Sequence, residues 1–192
     1  MRNFIDFRDF SAVDLPVKNR YTEKYTSLHP KKAQHGKQTK KEINMNLRKF
    51  AESDRAAFLS MCEDFYHSGA ADTVISVSQM ESSFDQIMQK SPYIQGYIIE
   101  ADDGGCAGYG IVFPFYSNEG GGLFLMLEEI YVKPAFRSQK LGSFYLENIK
   151  EASGLPVKGF KLEICRHNDG ARRLYERHGF KPLAYGEMIR VL

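Results

Sequence analysis

Residues 127–150, LEEIYVKPAFRSQKLGSFYLENIK, set basic and amide side chains at a strand-to-helix junction. A β-rich run ends at Val132, Pro134 stops the strand, and a polar turn follows from Arg137. An amphipathic helix then starts near Leu141. A helix N-terminus carries N–H groups without acceptors and a partial positive charge. Arg137, Gln139 and Lys140 add donors, and Gly142 lets a ligand come close to the backbone. Such a turn can cradle a diphosphate. It can equally be an ordinary connection with a basic surface. A second stretch, 162–180, reads LEICRHNDGARRLYERHGF. Its strand ends near Cys165, Asn168 or Asp169 caps a helix, and Gly179 ends it. Tyr175 on that helix is either a core aromatic or a proton donor to a leaving group.

The elements that must hold these residues follow from periodicity. Short alternation over 43–49 predicts a first strand. Ser53 and Asp54 are N-cap types ahead of Phe58, Leu59, Met61, Cys62 and Phe65 at helical spacing. Met80, Phe84, Ile87 and Met88 stripe a second helix over 78–89. Strands are expected at 93–100 and 106–115, joined by the turn residues 102–105, and again at 123–132. A helix at 141–152, a strand at 159–165, a helix at 169–178 and a final strand at 181–191 complete the order βααβββαβαβ. Hairpins mixed with crossovers imply one mixed sheet with helices on its faces.

Composition bounds the rest. The chain has 192 residues and a net charge of +2. Residues 1–42 hold 10 Lys and Arg against 5 Asp and Glu, and the remainder holds 16 against 19. A basic leader thus precedes a weakly acidic body, expected as one domain over 43–192. The leader has few aliphatic residues and is expected to be flexible, a solvated tail in preference to the alternative of a nucleic-acid tether. Met45 opens the globular pattern as a candidate alternative start. No apolar run reaches membrane-spanning length, and the first residues lack the apolar stretch of a signal peptide. Cys62, Cys106 and Cys165 are three and scattered, which fits reduced thiols in the cytoplasm.

The two chemistry-bearing segments together resemble the signature pair of the GCN5-related N-acetyltransferase (GNAT) superfamily. Val132, Pro134, Arg137 and Gly142 match V-x-P-x-x-R-x-x-G-x-G, with Lys140 where the first Gly usually stands. Asn168, Ala171, Leu174, Tyr175, Gly179 and Phe180 match N-x-x-A-x-x-L-Y-x-x-x-G-F without a break. The resemblance covers roughly 43–192. It implies a mixed, mostly antiparallel sheet flanked by helices and splayed between the fourth and fifth core strands. It also implies transfer of an acetyl group from acetyl-CoA to a primary amine.

By that resemblance, the backbone of Arg137, Ser138, Gln139, Lys140, Leu141, Gly142 and Ser143 holds the pyrophosphate. The strand edge at Ile130 and Val132 pairs with the pantetheine, and Asn168 contacts that arm or positions the following helix. Val132 N–H serves the oxyanion, and Tyr175 protonates the departing thiolate. Glu128 is the expected base, with Glu129 the fallback, because neighbours on one strand point to opposite faces. Relatives acting on polyamines and aminoglycosides carry a Glu matching Glu128, which points to a small cationic acceptor. A protein N-terminal or lysine acetyltransferase and a non-catalytic CoA-binding regulator are the alternatives. Acetyl-CoA and an amine are the expected partners, without metal, membrane or nucleic acid, and a homodimer is compatible. His167 and His178 are expected as surface or capping residues, and Cys165 as a buried apolar one. Tyr116 and the loop 120–122 are candidates for the acceptor pocket.

Overall fold

The computed structural model describes residues 45–101, 104–186 and 188–191. The leader expected at 1–42 lies outside the described residues. Five strands form a single sheet in the order β1 to β5: β1 (Asn46–Lys49), β2 (Gln95–Glu100), β3 (Cys106–Ser117), β4 (Gly122–Val132) and β5 (Gly159–Leu162). All neighbours pair antiparallel except β4 and β5, which run parallel. Helices α1 (Arg55–His67) and α2 (Val77–Met88) lie between β1 and β2 in the chain, α3 (Leu141–Ser153) precedes β5, and α4 (Asp169–Arg177) follows it.

Two apolar clusters account for this layering, because strand residues alternate between faces. Tyr97, Ile99, Leu125 and Leu127 pack with Leu141, Tyr145, Leu146 and Ile149 of α3. Ile98, Tyr109, Ile111 and Tyr131 pack instead with Phe58, Met61 and Cys62 of α1 and Met80 and Phe84 of α2. Local chemistry sets the helix starts. Asp54 accepts the Ala51 N–H at 2.7 Å and a two-pronged contact from Arg48, which also reaches Glu100. Ser76 and Gln79 cap α2 reciprocally, the Gln79 N–H donating to Ser76 Oγ and the Ser76 N–H to Gln79 Oε1.

The β4–β5 ladder covers only 124–127 against 159–162. Beyond it β4 continues to Val132 while β5 has ended, so the sheet opens between its fourth and fifth strands.

The final strand expected at 181–191 does not form among the described residues of that stretch. Its alternating apolar side chains find no face to bury: Leu183, Tyr185, Met188, Ile189 and Val191 are exposed. The chain stays packed as far as Phe180, whose ring meets Tyr175 and Phe160. Beyond it, Tyr185 donates to Glu119 in the β3–β4 turn, and no ladder with β5 forms among the described residues. The strand expected to reach 165 likewise stops at Leu162.

Candidate active site

A β-bulge decides where the two carboxylates go. Ile111 opposes Glu129 and Val112 opposes Leu127, so Glu128 is the extra residue in β4. A bulge shifts the alternation of everything after it. Leu125 and Leu127 face α3, but Tyr131 faces α1 and α2, and Ile130 and Val132 pack toward α3. Glu128 in the register before the bulge and Glu129 in the register after it therefore share a face. Both line one cavity of about 280 Å³, with Tyr66, Gln79, Ser83, Tyr93 and Phe113 among its walls. The expectation that the two point to opposite sheet faces is thus corrected. Strict alternation fails where a residue is inserted.

Glu129 is 6% exposed. Tyr66 Oη donates to Glu129 Oε1 at 2.7 Å and Tyr109 Oη to Oε2 at 2.6 Å. Burial pushes the Glu129 carboxyl above the usual range, while these phenols and the Cys62 thiol pull it back. The same burial, with the Glu129 charge, pushes Cys62 up to about 12. Glu128 is exposed to the cavity.

On the opened side, β4 presents backbone. Lys133 N–H donates to Ala107 O across the β3–β4 ladder. Two-residue alternation then turns the amides of Tyr131 toward β3 and those of Ile130 and Val132 away from it. Their polar groups point to the side that β5 has vacated, and Arg137 Nε already donates to Val132 O at 3.0 Å.

The turn into α3 contains two left-handed residues, Ser138 at φ 62° and Lys140 at φ 69°. Lys140 is the N-cap of α3, at the position where the signature usually has Gly. Its left-handed backbone explains that preference, since Gly adopts it without a Cβ penalty. The amides of Leu141, Gly142 and Ser143 open the helix and have no acceptor within it. A bound diphosphate would find these N–H groups without an acceptor at the helix start.

Gly142 has another use than ligand approach. A Cβ there would lie 2.8 Å from Leu174 Cδ2, so its absence admits α4 against α3. His178 Nε2 and Ser143 Oγ meet at 2.9 Å in the same seam. The two signature segments therefore touch each other. Asn168 Oδ1 caps α4 by accepting the Ala171 N–H at 3.2 Å, which positions that helix. Tyr175 packs against the α3-side core, and burial pushes its phenol up to about 12.

The remaining expectations divide. Cys165 is not a buried apolar residue. It lies past the end of β5, half-buried, with its thiol 3.1 Å from Ala70 O and 3.2 Å from Asp72 Oδ1. His167 Nε2–H donates to Gly69 O. Both contacts tie the chain after β5 to the loop between α1 and α2, which periodicity alone could not show. Tyr116 is 69% exposed near the tip of the β3–β4 hairpin, where Gly121 turns the chain at φ 61°. Neither it nor the loop 120–122 lines the cavity. Tyr66, Tyr109, Gln79 and Ser83 were not picked out in sequence, because only the packing of α1 and α2 on β3 and β4 brings them to the carboxylates.

Comparison with known proteins bears on this arrangement. Residues 93–182 match the family described as the acetyltransferase (GNAT) domain. The matched stretch, just under half of the chain, is similar to the GNAT domain. It is 35% identical over 86 residues to thialysine N-epsilon-acetyltransferase of Sus scrofa, covering 44% of this chain and 50% of that protein. The chain thus spans about half the length of the curated relative it matches. Among solved structures it shares the fold of aminoglycoside N-acetyltransferase AAC(6')-Iy in complex with CoA, at TM-score 0.63 and 15% identity, covering 79% of this chain and 97% of that one. Glucosamine-6-phosphate N-acetyltransferase from Arabidopsis thaliana gives 0.58 and 18%, covering 77% and 98%. The GNAT sheet, mixed and flanked by helices, agrees with the observed topology.

Proposed function

We propose that the protein is an acetyl-CoA-dependent N-acetyltransferase acting on the primary amine of a small cationic acceptor. The observation that carries this reading is the opening between β4 and β5, with outward amides at Ile130 and Val132 on one side and the two-carboxylate cavity on the other. The turn at 137–143 holds the pyrophosphate, and the β4 edge takes the pantetheine as an added strand. The curated relative's name specifies a terminal amine on a cationic amino acid, which fits an acidic, aromatic-walled cavity.

In the reaction, Glu128 accepts a proton from the acceptor ammonium, directly or through water, and frees its lone pair. The amine nitrogen attacks the thioester carbonyl, and the Val132 N–H stabilises the oxygen as it gains charge. The C–S bond then breaks, the amide forms, and Tyr175 donates its phenolic proton to the thiolate. A phenol held up at about 12 remains protonated until that moment. Asn168 and the Gly142–Leu174 contact keep Tyr175 in place through α4.

Release of free thiol from acetyl-CoA, followed across a panel of amines, tests the scheme. Glu128→Gln is expected to lower kcat at least about a hundredfold and remove the acid limb of its pH profile. Tyr175→Phe is expected to lower kcat with little change in the KM for acetyl-CoA. Unchanged rates in either variant would place that role elsewhere.

A further inference from the structure

Glu129 is a buried carboxyl group that the described residues leave without a cation. Both its oxygens accept phenolic hydrogen bonds, and no described Lys, Arg or His pairs with it. Hydrogen bonds from neutral donors offset only part of the cost of burying a charge. The cavity beside it is lined in part by Tyr66, Tyr93 and Phe113, aromatic residues of a kind that attracts cations. The bulge sets Glu128 on the same cavity. One carboxylate suffices to deprotonate the reacting amine, so the second needs another purpose. Resting on the reading of this site as an amine pocket, we infer that Glu129, held by Tyr66 and Tyr109, is its specificity determinant: the counter-ion for a second positive charge on the acceptor.

The groups around Glu129 are consistent with that use. Cys62 and Tyr66 face it from α1, Tyr109 from β3, and Glu128 is its neighbour on β4. Burial raises both phenols and the thiol, so they stay neutral while the carboxyl titrates. Burial also raises Glu129 itself, and a second ammonium would draw it back down. Binding a dication therefore expels a proton, and such an acceptor binds more tightly as pH rises through the raised range. A monoamine that reaches only Glu128 lacks this linkage.

Equilibrium binding of putrescine and of butylamine to the CoA-loaded protein tests the inference without requiring turnover. Calorimetry in buffers of different ionisation enthalpy counts the protons released. Wild type is expected to prefer putrescine at least about tenfold and to release more protons on binding putrescine than on binding butylamine. Glu129→Gln should bring the two affinities near parity, and Tyr66→Phe should move the ratio the same way by less. Parity in wild type, or a preference that survives Glu129→Gln, overturns the inference. Should the Gln variant fold poorly, the wild-type preference and proton count still decide. Preferential binding without acetylation would sink the acetyltransferase reading alone, and acetylation without preference would sink this one alone.

Discussion

Glu129 is held at a cost to the fold. A carboxyl whose titration is raised on folding favours the protein when protonated. That stability is present at low pH and is lost as pH rises through the raised range. Glu129→Gln keeps the shape and removes the charge. It should raise the melting temperature, with the gain larger at pH 8 than at pH 5. A gain of equal size at both would show that the charge is not the cause. Lys140, like Ser138, is a strained residue near the site. Its left-handed backbone costs roughly 1–2 kcal/mol in a residue with a Cβ. Lys140→Gly should recover about 1 kcal/mol in denaturant unfolding. At this scale the sequence was partly legible. The Glu pair, Tyr175, Arg137 and Asn168 stand out by type and spacing. The phenolic holders of Glu129 do not, because Glu129 lies 63 residues from Tyr66 and 20 from Tyr109 in the chain.

At the level of elements, the bulge and the α3–α4 seam do most to shape the site. A single inserted residue in β4 turned two carboxylates to one face, and alternation in sequence cannot reveal an insertion whose evidence lies in the partner strand. Helix α4 has nine residues and no fully buried side chain, so it depends on its cap and on Leu174 filling the space above Gly142. Asn168→Ala should cost about 1 kcal/mol. Hydrogen exchange should show that loss concentrated in α4 and in the Tyr175 amide. The expected last strand failed for a related reason. Alternation from Leu183 to Val191 predicts a strand only if a sheet edge and a buried face await it, and these side chains are exposed.

Across the whole molecule, the order and type of the earlier elements were readable because each face of the sheet has its own apolar cluster, and each cluster left a stripe in the sequence. The two ends of the sheet are fixed differently. Arg48 of β1 links Asp54 before α1 to Glu100 of β2, and it holds both carboxyls below the usual range. Their contribution is present at neutral pH and is lost as pH falls through those lowered values. Arg48→Met should cost about 2 kcal/mol at pH 7, less than a deeply buried pair would, and the deficit should shrink in acid. The other end is left open where β5 leaves β4, and the proposed chemistry depends on that gap.

Amine-dependent thiol release from acetyl-CoA tests the central claim most directly, with the product's mass recorded alongside. Small cationic amines should drive stoichiometric release of CoA thiol and gain one acetyl group on nitrogen. A protein whose melting temperature rises with acetyl-CoA, yet which releases no thiol with any such amine, would contradict it.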